Sequence, residues 1–276
     1  MTILQSIVLG VIQGITEFLP VSSSGHLILL PTLLGWNLQS LSFDVALHFG
    51  TVMAVLIFFA KDWYLMISML IRDVVFSNTL LKEKSIKNFH KESKLLLTIG
   101  VVIIPVAIFG YFLESPIETI FRSPIYVSVM LILVAVLMYA SDRYSEKLLK
   151  KKDKITFMDS FIISISQVLA LIPGTSRSGI TITTGLFLGL KREDAAKFSF
   201  LLATPLILGA AILKVPDLFT SGSEPISTLF FGVLSSFVVG ILSIKFLLNY
   251  VKKNNLNAFV IYRILLGILV LYIELF

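Results

Sequence analysis

The chain has 276 residues, of which 56% are hydrophobic and 14% are charged, and its mean hydropathy is +0.93. A soluble domain is about 45–50% apolar and about 25% charged, so this composition excludes an ordinary globular protein and indicates a polytopic membrane protein. The chain has no cysteine, which excludes disulfides, a thiolate nucleophile and cysteine-ligated metals. The net charge of +6 does not indicate a nucleic-acid partner, because the basic residues lie in short loops between apolar runs.

Six apolar segments are long enough to cross a bilayer core of about 30 Å at about 1.5 Å per helical residue. We predict these transmembrane helices at approximately Phe43–Ala60, Leu95–Leu113, Ile125–Ser141, Phe198–Leu213, Thr228–Asn249 and Ala258–Phe276. The segment Asp62–Phe76 is shorter and contains Arg72 and Asp73, which predicts an amphipathic helix at the membrane interface. The fold class that we expect is therefore an all-α membrane protein.

Two further apolar stretches are interrupted by a proline and by a run of serine and glycine. Their paired segments are predicted at Ile3–Leu19 with Leu27–Leu34, and at Phe157–Ile172 with Ile180–Leu190. Pro20 and Pro173 end the first helix of each pair, and we expect Ser24 and Ser178 to cap the second helices. Each pair is predicted to form a re-entrant hairpin, because nonhelical backbone at that depth must be buried in protein or line a cavity.

The basic residues predict the orientation of the chain. Most of the 23 Lys and Arg residues lie in four loops: five in Ser77–Lys94, six in Asp142–Thr156, three in Lys191–Lys197 and two in Tyr250–Asn257. With two hairpins and six spans, these four loops fall on one side, which the positive-inside rule makes cytoplasmic, so both termini are expected to be extracytoplasmic. Residues 1–141 and 157–276 each supply one hairpin and three spans. Because three is odd, the second repeat is predicted to be inverted relative to the first, with a linker at 142–156.

The two interrupted stretches share a polar pattern. The first, QGITEFLPVSSSGH, begins at Gln13, and the second, QVLALIPGTSRSG, begins at Gln167. In each, the glutamine is followed nine and eleven residues later by serine and twelve residues later by glycine. The first stretch carries Glu17 and His26, and the second carries Arg177. An isolated ionisable group in hydrocarbon costs at least about 2.5–3.5 kcal/mol, so we expect these three groups to be partnered and functional.

Together the two stretches offer the parts of a phosphate site near the membrane midplane. A helix N-terminus carries free N–H donors, and Arg177 adds a planar fork for phosphate oxygens. Glu17 would repel a phosphate, so we interpret it as a general base or a ligand of a divalent cation, with Gln13 one helical turn away. His26 offers acid–base or nucleophilic chemistry. The expected substrate-binding residues are Gln13, Ser22, Ser24, Gly174, Thr175, Ser176, Ser178 and Thr181, with Ser23 as a further hydroxyl.

Other ionisable residues have structural interpretations. We interpret His48 as a satisfied core histidine and Asp44 as a cap or interface residue at the start of a span. Arg263 is expected to extend along its helix so that the guanidinium reaches the cytoplasmic interface. Arg177 and Glu17 have a structural alternative as well, since they can form an ion pair that neutralises both charges without taking part in any reaction.

The first stretch, and PGTSRSGIT in the second, closely resemble the two signature motifs of the undecaprenyl-diphosphate phosphatase family of the bacitracin-resistance type. The length, the membrane layout and the segment FDVALHFGT are similar to that family as well, so the resemblance covers essentially the whole chain. It implies a plasma-membrane hydrolase that converts undecaprenyl diphosphate into undecaprenyl phosphate and inorganic phosphate. This reaction recycles the carrier lipid for cell-wall synthesis, and more enzyme means resistance to bacitracin.

The resemblance also implies roles for individual residues. Glu17 matches the second acidic position of the family's (Glu/Gln)-x-x-x-Glu motif, and Gln13 stands at the first, where many members have Glu. Ser22, Ser23 and His26 match the hydroxyl and imidazole positions thought to be catalytic. The phosphate-binding motif is matched by Arg177, Ser176, Ser178 and Thr181. The family is described as dependent on Mg²⁺ or stimulated by divalent cations, with an active site open to the extracytoplasmic side.

Three alternatives stay open at this point. The nucleophile is Ser23, His26 or a water molecule activated by His26. The rival function is a transporter or flippase of a polyprenyl phosphate or another anion, because inverted halves with broken helices at the midplane are features of transporters. The sequence also leaves the oligomeric state open, a homodimer included.

Overall fold

The computed structural model describes residues 1–80, 86, 89–121, 123–214 and 224–276. Its helices are α1 (Ile3–Thr16), α2 (Ser23–Leu33), α3 (Leu41–Phe58), α4 (Ala60–Leu80), α5 (Lys91–Phe121), α6 (Pro124–Lys147), α7 (Phe157–Ser166), α8 (Arg177–Phe187), α9 (Arg192–Lys214), α10 (Ile226–Lys253) and α11 (Asn257–Leu275), with a 3₁₀ turn at Gln167–Leu171. Part of the predicted basic loop Ser77–Lys94 lies outside the described residues. The expectation of an all-α fold is confirmed.

Five of the six predicted transmembrane helices are long and apolar enough to cross a membrane. They are α6, α10 and α11 over their full lengths, α5 over Lys91–Leu113 and α9 over Arg192–Leu213. Their lipid-compatible faces are rich in exposed Ile, Leu, Val and Phe, which agrees with a hydrocarbon surrounding rather than water. The protein is therefore a multi-pass membrane protein.

The sixth predicted span ends earlier than expected. Helix α3 stops at Phe58, and α4 follows after a bend of 67°. No proline or glycine marks this bend in the sequence. The buried side chain of Phe59 packs against Phe200 of α9 at a ring-centroid distance of 6.3 Å, and Asp62 accepts a hydrogen bond from Lys197 at 2.6 Å. Both contacts hold this part of the chain against α9, so we attribute the bend to tertiary packing.

Both interrupted stretches fold as two short helices joined by a loop. Residues 17–22, the first loop, join α1 to α2, and residues 172–176, the second loop, follow the 3₁₀ turn and precede α8. The leading helices start in the same way, since α1 opens with a capping box of Thr2 and Gln5 and α7 with one of Thr156 and Asp159. Each box satisfies backbone N–H donors that the helix cannot pair internally.

The predicted helix caps were wrong by two residues. The structure caps α2 with Ser22 and α8 with Ser176, whose hydroxyls accept from the N–H of Gly25 at 3.4 Å and of Gly179 at 3.1 Å. Both serines have positive φ, 79° and 71°, and a side chain other than glycine pays about 1–3 kcal/mol for such backbone strain. The two caps therefore share one backbone conformation.

The short leading helices are buried among the long ones. Helix α1 packs along α10, α7 packs against α5, α8 packs against α6, and α11 crosses α6. A Cβ atom on Gly14 of α1 would lie 2.7 Å from the Ser236 carbonyl oxygen of α10, so only a glycine permits this backbone contact. Small residues at helix crossings are how membrane proteins bring helices close together.

The segment predicted as a linker is helical at its start, because α6 continues to Lys147. Within that extension the carboxylate of Asp142 is buried and accepts from Arg192 of α9 and from the backbone N–H of Leu256 at 2.8 Å. This one side chain therefore joins the ends of α6, α9 and the loop before α11.

Candidate functional site

The first loop meets the start of α8 at a buried ion pair. The guanidinium Nη2 of Arg177, the first residue of α8, donates to the Glu17 carboxylate Oε1. The Glu17 side chain is 2% exposed and that of Arg177 is 19% exposed. A second contact joins the loops, because the Ser178 hydroxyl donates to the carbonyl oxygen of Leu19 at 3.1 Å. The pair borders a narrow cleft between the first loop and helices α3, α8 and α9.

The other carboxylate oxygen of Glu17 contacts a hydroxyl. The Ser23 Oγ donates to Glu17 Oε2 at 2.7 Å, and the amide nitrogen of Gln13 donates to the same oxygen at 3.0 Å. A carboxylate that accepts from a serine hydroxyl is placed to take the proton when that oxygen attacks. The arrangement therefore has the geometry of a nucleophile and its base, with Gln13 orienting the base.

His48 of α3 belongs to this cluster, although we interpreted it from the sequence only as a core histidine. The amide nitrogen of Gln13 lies 3.0 Å from His48 Nδ1, and that ring nitrogen is 3.6 Å from Glu17 Oε2. An amide nitrogen can only donate, so Nδ1 of His48 is the acceptor. Asp44, one turn earlier, accepts from Gln39 at 2.8 Å, as a polar residue in the first turn of α3.

His26 lies on a different set of contacts from the ion pair. Its Nδ1 is 2.7 Å from the carbonyl oxygen of Ser22, and its Nε2 is 2.6 Å from the Tyr262 hydroxyl of α11. The two rings are stacked, with centroids 5.6 Å apart and planes at 8°. Both ring nitrogens of His26 are thus engaged by protein groups.

Arg263 is placed differently from its prediction. The expectation that it extends to the cytoplasmic interface was wrong, because its side chain is fully buried and none of it reaches the surface. Its guanidinium donates to the carbonyl oxygens of Pro20, Met130, Leu131, Gly174 and Thr175 at 2.9–3.4 Å. Carbonyl oxygens left free by the two broken loops satisfy the guanidinium, which holds it inside the bundle. Arg263 therefore links both loops to α6.

The remaining predicted binding residues differ in their contacts. Thr175 has a buried hydroxyl with no partner among the described residues, and Ser24 is exposed with its hydroxyl 3.4 Å from that of Ser22. Thr181 instead contacts the Ser199 hydroxyl at 2.6 Å. Gly174, at φ 92°, packs against α6, where a Cβ would lie 2.4 Å from the Val127 carbonyl oxygen. Ser22 and Ser176 cap the N-termini of α2 and α8.

The candidate ligands for a divalent cation near Glu17 are its own carboxylate and the amide oxygen of Gln13. Among the described residues, no group of three or more His, Asp or Glu is clustered closely enough to hold a metal ion. The Oε1 of Gln13 is buried and has no hydrogen-bond partner in the described part of the chain. One carboxylate and one amide oxygen are a set that Mg²⁺ accepts when substrate phosphates complete its coordination.

Three residues near the loops were not assigned to the site from the sequence: His48, Tyr262 and Arg263. The signal for Arg263 was present, because an ionisable residue within an apolar span is by default a functional hypothesis. The signal for His48 was similar but weaker. Tyr262 gave none, because tyrosines are common in membrane helices near the interfaces.

The comparisons with known proteins agree with the motifs. The model of the family described as "Bacitracin resistance protein BacA" matches residues 6–269. The undecaprenyl-diphosphatase of Pelotomaculum thermopropionicum is 42% identical over 272 residues, which cover 98% of this chain and 96% of that protein. The undecaprenyl-diphosphatase of Trichlorobacter lovleyi is 46% identical over 275 residues, covering 97% of this chain and 96% of that protein. The chain therefore belongs to the bacitracin resistance protein BacA family.

Proposed function

We propose that this membrane protein is an undecaprenyl-diphosphatase, which hydrolyses undecaprenyl diphosphate to undecaprenyl phosphate and inorganic phosphate. We infer the substrate from family membership, since the full-length relatives are named undecaprenyl-diphosphatases. The single structural observation that carries the site is the contact of Glu17 with both Arg177 and Ser23. A cation for phosphate oxygens, a hydroxyl and a base meet there within one hydrogen-bonded group.

Binding of the diphosphate begins with Arg177. A planar guanidinium with five N–H donors matches phosphate oxygens in pairs. Helices α2 and α8 begin at Ser23 and Arg177, and a helix N-terminus adds free N–H groups and about half a positive charge. In the absence of substrate, the Glu17 carboxylate neutralises the charge of Arg177. When the diphosphate binds, its oxygens replace Glu17 as the acceptors of the guanidinium, and Glu17 is then available as a base.

Ser23 is the nucleophile that the geometry supports best. Its hydroxyl already donates to Glu17 at 2.7 Å, whereas both nitrogens of His26 are engaged by Ser22 and Tyr262. Ser23 Oγ attacks the terminal phosphorus, its proton passes to Glu17, and the bond from that phosphorus to the bridging oxygen breaks, releasing undecaprenyl phosphate. Water then displaces inorganic phosphate from the serine, and Glu17 returns the proton to Ser23 Oγ. Arg177 stabilises the charge on the transferred group throughout.

A divalent cation, which we propose to be Mg²⁺, would be held by Glu17 and the amide oxygen of Gln13. When bound, it would neutralise charge on the phosphate oxygens. The free acceptor on Gln13 supports this assignment. The other residues proposed to contact substrate belong to the two polar motifs: Ser22, Ser24, Gly174, Thr175, Ser176, Ser178 and Thr181.

The architecture that we propose for this site is an inverted repeat. Residues 1–141 and 157–276 would each contribute one re-entrant hairpin and three spans, joined by the linker 142–156. Three features support it: the matched strained caps Ser22 and Ser176, the two capping boxes, and the packing of α1 on α10 and of α7 on α5. The basic loops favour extracytoplasmic termini, so the first hairpin and the site would open to the extracytoplasmic side of the plasma membrane.

Phosphate release by purified protein in detergent tests the function. A detergent micelle has no second compartment, so a transporter or flippase would leave the diphosphate intact. A phosphatase would release inorganic phosphate under the same conditions. We expect one inorganic phosphate for each undecaprenyl diphosphate consumed. Intact diphosphate after prolonged incubation with Mg²⁺ would favour the transporter alternative. The mass of the same solubilised protein distinguishes a monomer from the homodimer that the sequence left open.

A further inference from the structure

The geometry points to Tyr262 as a catalytic residue that relays protons between His26 and the reaction, an inference that rests on the proposed function. Tyr262 lies on α11, more than 200 residues from the first loop, yet its hydroxyl is 2.6 Å from His26 Nε2. The planes of the two rings are nearly parallel, at 8°. No other hydrogen bond to Nε2 is found among the described residues.

The contacts fix the tautomer of His26. The Ser22 carbonyl oxygen has no proton to give, so the Nδ1 that faces it at 2.7 Å must carry the hydrogen. In the neutral ring, Nε2 is then an acceptor, and the Tyr262 hydroxyl donates to it. A hydroxyl is both donor and acceptor, so Tyr262 also suits the protonated ring, whose Nε2–H would donate to the tyrosine oxygen.

Tyr262 lies nearer the surface of the helix bundle than His26 does. His26 is 7% exposed, whereas Tyr262 is 44% exposed. The charged neighbour on the same helix, Arg263, is fully buried and donates to carbonyl oxygens of both loops, which fixes the position of α11 against them. Tyr262 thus lies beside His26 with part of its side chain exposed.

The proton path follows from these positions. As water attacks to release inorganic phosphate, its oxygen–phosphorus bond forms and one of its protons passes to the Tyr262 oxygen. The Tyr262 hydroxyl proton passes at the same time to His26 Nε2, so the hydroxyl is regenerated and the ring becomes an imidazolium. The imidazolium returns the proton along the reverse path to phosphate or bulk water. One proton moves from water through Tyr262 to His26, and one proton later returns along the same path, so no other reactant is needed.

Kinetics of Tyr262→Phe test this role, because phenylalanine keeps the stacked ring and removes only the hydroxyl. We expect kcat for phosphate release to fall about 10²-fold, the lower end of an acid–base contribution, with KM changed less than about threefold. In a His26→Ala background, Tyr262→Phe should cost nothing further, because its effect passes through the imidazole. Tyr272→Phe, on the exposed end of the same helix, is the matched control and should keep wild-type kcat.

A wild-type kcat in Tyr262→Phe, or a loss that multiplies in full with that of His26→Ala, would overturn the proposal. A second measurement is independent of turnover. The chain has three histidines, so ¹⁵N-histidine labelling gives three imidazoles to assign with single His→Gln variants. We expect His26 to carry its proton on Nδ1; a proton on Nε2 of the neutral ring would overturn the inference. Wild-type protein that releases no phosphate would contradict the proposed function, whereas active wild-type protein with an unaffected Tyr262→Phe would contradict only the role of Tyr262.

Discussion

Arg177 donates to Glu17 across 160 residues of sequence, and this contact is what makes one site out of two loops. Each group alone would be an isolated charge within an apolar bundle, which is expensive. Together they are neutral until an anion arrives. Ser23 and Gln13 both donate to the second carboxylate oxygen of Glu17, so all four side chains belong to one hydrogen-bonded group.

Ser23→Ala should abolish turnover. If Ser23 is the nucleophile, its loss should lower kcat at least about 10³-fold, and a radioactive phosphoryl group trapped on wild-type protein by acid quenching should map to Ser23. Ser235→Ala is the matched control, because Ser235 donates to its own helix at Phe231 and lies away from both loops. A phosphoryl group on His26, or wild-type turnover without Ser23, would contradict the assignment.

Arg263→Leu should destabilise the protein as well as inactivate it. The substitution leaves carbonyl oxygens of both loops unpaired, and each buried unsatisfied group costs about 1–3 kcal/mol. We expect a lower thermal unfolding midpoint in detergent and a lower kcat, with Arg263→Lys intermediate because lysine has fewer donors. The same changes at the exposed Arg72 serve as controls. An unchanged midpoint in Arg263→Leu would show that the five hydrogen bonds are not needed.

Chelation should stop phosphate release, and added Mg²⁺ should restore it. Gln13→Glu sharpens this test because it places a second carboxylate beside Glu17. With a cation present the two carboxylates share its charge, so we expect half-maximal activity at a lower Mg²⁺ concentration than in wild type. Gln13→Ala should need more Mg²⁺. Full activity in excess chelator would remove the metal from the account.

Labelling of single cysteines should determine the orientation, since the natural chain has none. Phe276→Cys and Leu149→Cys both place a thiol at an exposed position, at the C-terminus and in the linker. A membrane-impermeant maleimide applied to intact cells should label Phe276→Cys alone, and permeabilised cells should label both. Labelling of Leu149→Cys in intact cells would reverse the predicted topology.

The sequence predicts the parts of this protein that local chemistry determines. Glu17 and Arg177 stand out because charge in an apolar run needs a partner, and the spacing of serine and glycine identifies the two loops. Positions set by tertiary packing are not visible in the same way. Nothing local distinguishes Ser22 from Ser24 as a cap, because the positive φ of Ser22 is imposed by the loop. The bend at Phe59 and the burial of Arg263 also depend on distant helices, α9 for the first and α6 with both loops for the second.

The most direct test of a single joint site compares phosphate release by wild type, Glu17→Gln, Arg177→Gln and the double variant. Each single variant should lose about 10²-fold to 10⁴-fold in kcat/KM, and the double variant should lose far less than the product of the two, because both act on one bound diphosphate. The exposed pair Lys252 and Glu193, neutralised in the same way, should have no effect. A pair that serves only the fold would leave a neutral, correctly folded double variant with wild-type turnover, and that result would contradict the account.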